Sequence, residues 1–207
     1  MKDFLNRFVG SSCTIPTSQW GDVRVEAASL SAAIDGDLIL RFGSPPVDTD
    51  ILVRIHSECV FGEVLGSVLC DCAEQLQIAM RRLSSEGGIL FYLRIDGRGA
   101  GLAAKVAATA LERGGVDTWD SRIRVGVEPE SRDYSSVGRY LLAAGLRSIR
   151  LLTNNPTKVH HMSMFGIHVT REPLVVPHPN DAVRELYATK VRRFGHIIEE
   201  GLGGADY

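Results

Sequence analysis

Two short, almost continuously apolar runs constrain the fold of this chain most strongly: ILVRIHS at 51–57 and GILFYLRI at 88–95. Runs of this length that are rich in aliphatic and aromatic residues are typical of strands buried on both faces. Each run is followed by a segment with helical periodicity, at 73–86 and 101–113, and each segment ends at a pair of glycines. Strands that alternate with helices in this way predict an α/β fold.

The rest of the chain continues the alternation. The residue pattern predicts further strands at 24–30, 36–43, 148–153 and 167–176, and further helices at 134–146, 154–166 and 181–200. The 207 residues contain no repeat, low-complexity tract or clear linker. We therefore predict a single domain over residues 1–207.

The composition argues against several classes of protein. Hydrophobic residues make up 44% of the chain and charged residues 23%, which predicts a buried core rather than disorder. A net charge of −2 argues against a general nucleic-acid-binding surface. The chain also has no apolar run long enough for a membrane helix and no secretory signal pattern. We expect a soluble, cytoplasmic protein without nucleic-acid or membrane partners.

Three of the four cysteines lie in one stretch, RIHSECVFGEVLGSVLCDCAEQ at 54–75. Cys59, Cys70 and Cys72 have the spacing C-x10-C-x-C, and His56 lies just upstream. If the stretch is extended, its last two cysteines point the same way and can bind one ion together with the first, with the histidine as a possible fourth ligand. Thiolates favour zinc. Buried apolar cysteines, a structural zinc and a catalytic zinc all stay open, and the spacing favours the last.

A glycine-rich segment, DGRGAGLAAK at 96–105, lies between a predicted strand and a predicted helix. Its G-x-G-x-x-A at 99–104 loosely matches a dinucleotide-binding fingerprint, with Asp117 and Asp120 roughly 20 residues further on. An NAD-dependent oxidoreductase is therefore one interpretation. Arg98 lies inside the turn, and its guanidinium is suited to bind an anion or a base, which is the second interpretation. A loop that needs glycine only to turn is the third interpretation.

A second anion-binding pattern is TNNPTK at 153–158, which follows a strand and opens a helix. Asn154 or Asn155 can cap the helix, and Pro156 suits its first position. With Lys158 one turn further on, the helix N-terminus is suited to an anion. An ordinary capped helix with a solvated lysine is the alternative.

Five blocks occur in a fixed order, and together they resemble the GTP cyclohydrolase II family. The blocks are RIHSEC, CDCAEQL, DGRGAGL, RLLTNNPTKV and TKVRRFGH. The resemblance implies an α/β fold with a mixed sheet flanked by helices, and a homodimeric zinc enzyme that opens the imidazole ring of GTP. It also implies release of formate and pyrophosphate, Mg²⁺ on the triphosphate and a pyrimidinone ribosyl phosphate that enters riboflavin synthesis.

The resemblance also implies roles for individual residues. Zinc would be held by Cys59, Cys70 and Cys72, with the fourth position open for water. The positions that match the family's GTP contacts are Arg54, Ile55, His56, Ser57, Glu58, Gln75, Asp96, Gly97, Arg98, Thr118, Thr153 and Lys158.

Two further positions lie in EPESRDY at 128–134, a charge run that residue chemistry alone assigns to a solvated loop. Arg132 matches the family's proposed nucleophile at the α-phosphate, and Glu130 matches its proton acceptor. A guanidinium with a pKa above about 12 is a poor nucleophile. Binding of phosphate in the transition state is the physically easier role for this arginine.

Several residues depart from the family pattern around these same positions. Asp96 replaces a glutamate, Glu130 replaces an aspartate, and FGE at 61–63 replaces TGD. Leu69 replaces the arginine before the CDC cysteines, and Arg122 ends DTWDSR where the family has DTVEAN. The loss of a basic residue near the phosphates is expected to weaken triphosphate binding.

One departure bears directly on catalysis, because Thr109 lies where the family has a tyrosine. A shorter hydroxyl predicts that ring opening survives while formate release is slowed or lost, which would give a formamidopyrimidine product.

A specialised paralogue that acts on another purine nucleotide in a natural-product pathway is a further alternative. An NAD-dependent oxidoreductase leaves the cysteines unused, and a zinc-stabilised binding module leaves the two anion loops unexplained.

Overall fold

The computed structural model describes residues 8–31, 36–44 and 50–198, which form seven strands and seven helices. The strands are β1 (Ser12–Thr17), β2 (Gly21–Ala28), β3 (Asp37–Phe42), β4 (Ile51–Ser57), β5 (Gly88–Leu93), β6 (Ser148–Leu152) and β7 (His168–Glu172). The helices are α1 (Val60–Glu63), α2 (Cys72–Glu86), α3 (Gly101–Arg113), α4 (Asp120–Arg124), α5 (Ser135–Ala143), α6 (Pro156–Ser163) and α7 (Asp181–Phe194). A 3₁₀ turn at Gly97–Gly99 precedes α3. No helix in these described ranges has the length and apolar character needed to cross a membrane.

The seven strands form one mixed sheet in the order β1-β2-β3-β5-β4-β6-β7. The strands from β1 to β3 and on to β5 are antiparallel, whereas β5, β4, β6 and β7 are parallel to one another. The predicted α/β fold with a mixed sheet flanked by helices is therefore confirmed. Because β4, β5 and β6 are parallel, their carboxyl ends meet at one edge of the sheet, where α/β proteins commonly bind ligands.

Strand β4 is buried on both faces, which explains its continuous apolar run. Val53 and Ile55 are fully buried in the cluster that includes residues of α5 and α6. Leu52 points to the other face and packs in the cluster that includes α2. Because side chains alternate along a strand, Arg54 and His56 share the face of Leu52. Burial of each large aliphatic side chain contributes roughly 2 kcal/mol, so the core fixes which face these two polar residues occupy.

Some predicted element boundaries are confirmed and others are wrong. Strand β4 occupies 51–57, and α3 ends at residue 113, as predicted. The last helix ends at Phe194 rather than continuing to 200, because Gly195 adopts a left-handed conformation with φ 65° that closes the helix. Residues 199 and 200 lie outside the described residues. The strand predicted at 167–176 is shorter, and the other predicted bounds shift by one to three residues.

Candidate active site

A cavity lies at the sheet edge where β4, β5 and β6 end, and it brings together most of the predicted site residues. Its wall also includes residues of α3, α4 and α7. The predicted residues that line it are Arg54, His56, Ser57, Glu58, Cys59, Cys70, Cys72, Gln75, Asp96, Gly97, Arg98, Thr109, Thr118, Arg132, Thr153 and Lys158. Segments as distant in sequence as the cysteine stretch and the helix after β6 thus meet at one place.

Two predicted residues are absent from the cavity lining. The Ile55 side chain is fully buried in the core on the opposite face of the sheet. Its backbone carbonyl, however, accepts a hydrogen bond from the Lys158 Nζ at 2.7 Å. Glu130 instead pairs with the guanidinium of Arg132, which does line the cavity. Both residues therefore act on the cavity through a neighbour.

The three predicted thiols converge, but not in the extended geometry that the sequence predicted. Cys59 is the N-cap of α1, and its Sγ accepts from the Gly62 N–H at 3.4 Å. Cys72 is the first residue of α2, so the last two cysteines belong to a helix start rather than to a strand. The three Sγ atoms lie within 4.8 Å of one another, and those of Cys59 and Cys70 are 3.6 Å apart.

This sulfur geometry fits a metal ion. A tetrahedral zinc ion lies about 2.3 Å from each thiolate, which separates the sulfurs by about 3.8 Å. The Cys59–Cys70 distance of 3.6 Å is close to that value. Hydrogen bonds from the Cys70 and Cys72 thiols lower the pKa of Cys59, and the nearby Lys105 ammonium acts in the same direction. The neighbouring thiolate and burial raise the pKa of Cys70 to about 11 and that of Cys72 well above its usual value, so the cluster favours one thiolate, on Cys59, until a cation binds.

His56 does not supply a fourth ligand, because both of its ring nitrogens are already engaged. The Arg54 guanidinium lies 3.3 Å from Nδ1, which must accept because a guanidinium only donates. Nε2 therefore carries the proton and donates to Glu63 Oε1 at 2.8 Å. The same carboxylate oxygen accepts from the Cys59 N–H at 2.8 Å. Burial lowers the pKa of His56 to about 4, so the ring is neutral at physiological pH.

Lys105 is a site residue that sequence reasoning missed. Its Nζ lies 3.1 Å from the Cys59 Sγ and 2.6 Å from Asp96 Oδ1. Asp96 Oδ2 also accepts from the Val60 N–H at 3.0 Å, which ties the glycine-rich turn to α1. Lys105 is one helical turn before Thr109 on α3, and this spacing of four residues could have indicated a shared face.

A chain of hydrogen bonds holds three side chains next to the cysteines, which we call the polar wall: Arg54, Gln75 and Asp71. Arg54 Nη2 donates to Gln75 Oε1 at 2.9 Å, and Gln75 Nε2 donates to Asp71 Oδ2 at 2.5 Å. Asp71 is fully buried and also accepts from the Tyr187 hydroxyl at 2.7 Å and from Lys190 at 3.2 Å. The residue between the two cysteines of C-x-C thus attaches α7 to the site. Only its position inside the motif could have indicated this role.

Three arginines that line the cavity at and near the glycine-rich turn form a group that we call the arginine wall: Arg98, Arg122 and Arg132. Arg98 has φ 59° and donates to the backbone oxygen and the hydroxyl of Thr118 at 2.9 and 2.8 Å. Burial lowers the pKa of Arg98 to about 10. Arg132 binds Glu130 through two bonds, one of them 2.7 Å from Nε to Oε1.

The start of α6 is capped as predicted, but its lysine is not solvated. Asn155 Oδ1 accepts from the Thr157 N–H at 2.9 Å. Lys158 is buried, donates to the Ile55 carbonyl and lies 5.1 Å from the centre of the Tyr134 ring. Burial lowers the pKa of Lys158 well below its usual value. The lysine is therefore a fixed donor at the cavity wall rather than a mobile anion-binding side chain.

Comparison with known proteins agrees with this geometry. Residues 7–173 match the family model described as GTP cyclohydrolase II. The chain is 38% identical to a GTP cyclohydrolase-2 of Helicobacter pylori over 92% of this chain and 97% of that protein. It is 36% identical to a GTP cyclohydrolase-2 of Tolumonas auensis over 92% and 96% of the two chains.

A third relative is the riboflavin biosynthesis protein RibBA of Thermotoga maritima, which is 36% identical over 92% of this chain and 48% of its own length. The matches to the family model and to full-length relatives span the cysteine stretch, the glycine-rich turn and the start of α6. This chain belongs to the GTP cyclohydrolase II family.

Proposed function

We propose that this chain uses zinc to open the imidazole ring of GTP by hydrolysis, with release of formate and pyrophosphate. The product is a pyrimidinone ribosyl phosphate that enters riboflavin synthesis. As a family member the chain is a GTP cyclohydrolase II-like hydrolase, and the NAD-dependent interpretation of its glycine loop is not retained. The observation that carries the proposal is one cavity lined both by three clustered thiols and by buried amide and guanidinium donors.

The residues at the cysteine end are suited to bind the metal and hold it in place. Cys59, Cys70 and Cys72 would bind zinc, which when present lowers the pKa of water and polarises the substrate near its C8. Lys105 donates to the Cys59 sulfur and is itself held by Asp96, and such contacts commonly orient metal ligands. With His56 engaged elsewhere, no histidine of the described residues joins the three cysteines, which leaves room for water or substrate.

The polar wall is suited to recognise the purine. Gln75 is held by Arg54 and Asp71, so its amide presents one fixed orientation to a ligand. The Arg54 Nε is buried and has no hydrogen-bond partner among the described residues. A purine acceptor would satisfy it, and an unsatisfied buried donor costs about 1–3 kcal/mol.

The roles proposed at the arginine wall follow from the pairing of Arg132 with Glu130. Arg132 is held through two bonds by a carboxylate and keeps its charge, which suits it to binding phosphate rather than to nucleophilic attack. Glu130 is proposed to accept a proton there. Magnesium on the triphosphate, a homodimer, a single domain and a cytoplasmic location stay predictions.

A second candidate product follows from Thr109. This residue lines the cavity on the same helix as Lys105, and its hydroxyl has no hydrogen-bond partner in the described part of the chain. If release of the C8 carbon needs a longer hydroxyl at this position, ring opening stops at the formamidopyrimidine. A specialised paralogue with another purine nucleotide as its substrate is the remaining alternative.

The test is product analysis with zinc-loaded enzyme. GTP consumption is followed with and without a chelator, while formate and pyrophosphate are quantified and the pyrimidine product is identified by mass spectrometry. Consumption of GTP that the chelator abolishes is expected, and absence of any GTP conversion would contradict the proposal. A panel of other purine nucleoside triphosphates tests the paralogue alternative.

Formate distinguishes the two products. Stoichiometric formate from the wild-type enzyme rules out the formyl-retaining product. If formate is absent, Thr109→Tyr is expected to restore its release at least about tenfold, with Thr109→Val as the control of similar size. Equal formate from both variants would show that the hydroxyl at this position has no part in the step.

A further inference from the structure

Arg122 on α4 is buried without a partner. Arg122 is only 5% exposed, and it lines the cavity. The Nε and Nη1 atoms are buried and make no hydrogen bond to any described residue. A buried donor without a partner is costly, and a buried charge is more so. A side chain kept in this state is suited to bind a group that the protein itself does not supply.

The acidic side chains near Arg122 are already engaged by other donors. Glu112 Oε1 accepts from the Ser121 hydroxyl at 2.8 Å. Asp96 Oδ1 accepts from Lys105 and from the Gly97 N–H at 2.6 Å each. No ion pair joins Arg122 to a carboxylate within the described residues. Arg122 therefore has no hydrogen-bonded or ion-paired partner among the described residues, and Glu112 and Asp96 act on its charge only without direct contact.

The other two members of the arginine wall differ from Arg122 in this respect. Arg98 donates to Thr118, and Arg132 donates to Glu130. Each of these guanidiniums has already committed two of its five N–H donors to the protein. Arg122 has free donors at the same wall, with Nη1 3.9 Å from the position that a Cβ on Gly97 would occupy. It thus lies directly behind the turn that carries Arg98.

The position just before the cysteine pair is apolar in this chain. Leu69 lines the cavity next to the cysteine pair, at the position where the family pattern has an arginine. In this chain one basic residue is therefore missing beside the cysteines, and one is added on α4. Both positions line the same cavity.

We propose that Arg122 binds a phosphate oxygen of the nucleotide and determines the preference of this chain for a polyphosphate substrate. The N–H groups of a guanidinium match phosphate oxygens, and its charge favours an anion over a neutral base. The inference rests on the proposed function, because it takes the ligand of the cavity to be a guanine nucleotide.

The experiment compares nucleotides that differ only in phosphate number. Zinc-loaded wild type and Arg122→Met are titrated with GTP, GDP, GMP and guanosine, and binding is followed before turnover by stopped-flow tryptophan fluorescence. Loss of a charged hydrogen bond is expected to weaken GTP binding by about tenfold or more. The weakening is expected to shrink from GTP to GMP and to vanish for guanosine. Arg122→Lys, which keeps the charge, is expected to recover part of the affinity.

A matched control and a stability measurement separate binding from folding. Arg124→Met changes an exposed arginine on the same helix and is expected to leave every affinity unchanged. Removal of a buried charge that has no direct partner is expected to leave the melting temperature of Arg122→Met equal to or above that of the wild type. If Arg122→Met does not fold, Arg122→Gln takes its place in the same titrations.

Three results would overturn the inference. These are unchanged GTP affinity in a folded Arg122 variant, equal weakening for all four ligands including guanosine, and failure of every charge-removing variant to fold. Failure of the proposed function is distinguishable, because in that case the wild type itself binds none of the guanine ligands. That result would overturn both proposals, whereas wild-type binding with no effect of Arg122 overturns this one alone.

Discussion

The cysteine end of the cavity and the arginine wall carry opposite charge requirements. At the cysteine end, three sulfurs lie within 4.8 Å of one another, and the cation nearest to them is the single ammonium of Lys105. At the arginine wall, Arg98, Arg122 and Arg132 face the cavity, and Glu130 pairs with only one of them. The first region is suited to a metal cation, and the second is suited to an anion.

Under the proposed function, one cavity binds both a metal and a polyphosphate, each at the end with the complementary charge. Like charges that are held close together in a partly buried site repel one another, and their energy falls when the missing counter-ion binds. Each end is thus less stable alone than when it is loaded. Variants at the two ends should respond to different additives, and this provides a direct test of the comparison.

The largest expected effect is at the cysteine end. Cys59→Ser removes one sulfur but keeps a residue that caps α1 well, so the protein should fold. Metal content should fall, and GTP consumption should fall about a thousandfold, because metal activation of water is worth several kcal/mol. Metal analysis and activity assays check this, with the exposed Cys13→Ser as control. Unfolding of Cys59→Ser would indicate a structural metal instead.

The second-largest expected effect is on the pH dependence of the free energy of unfolding, which His56 beside the cysteines should influence. Burial lowers the pKa of His56 to about 4, against an unfolded value of 6.5, so its stabilising contribution is fully present above pH 6.5. It is lost as the pH falls towards 4, and the difference corresponds to about 3 kcal/mol. Urea unfolding between pH 7 and 4 should show a flatter pH dependence in His56→Asn than in the wild type.

The exposed His168→Asn is the matched control and should keep the wild-type pH dependence. The same slope in His56→Asn and in the wild type would assign the acid sensitivity to other groups. The expected sign is fixed, because a histidine that is buried in the neutral state must take up a proton as the protein unfolds.

The smallest effect is expected at the arginine wall. Glu130→Gln keeps the shape of the partner of Arg132 but removes its charge, which should lower the free energy of unfolding by about 1–2 kcal/mol. Added inorganic phosphate should reduce this loss, whereas added zinc should not. Urea unfolding with each additive checks the prediction, and the exposed Glu128→Gln is the control. An equal response to both additives would remove the distinction between the two ends.

Local patterns predicted the elements well where packing and propensity agree. The run at 51–57 is a strand with these bounds, and α3 ends before the glycine pair at 114 and 115. In both places the local preference of the residues agrees with the fold. The pattern failed where a single residue changes the local geometry. Asp71, between the two cysteines, is the N-cap of α2, which begins at Cys72, so the stretch predicted as extended is a helix N-terminus.

The sequence by itself determined the α/β character, the identity of the three thiols and the family, because apolar periodicity and motif spacing are local properties of the chain. Only the tertiary structure decided which residues share the cavity. Lys105 reaches the Cys59 sulfur across 46 positions, and Lys190 reaches Asp71 across 119. It also decided that Arg122 is buried without a partner. Burial and charge compensation depend on neighbours that are distant in sequence, and no local pattern contains them.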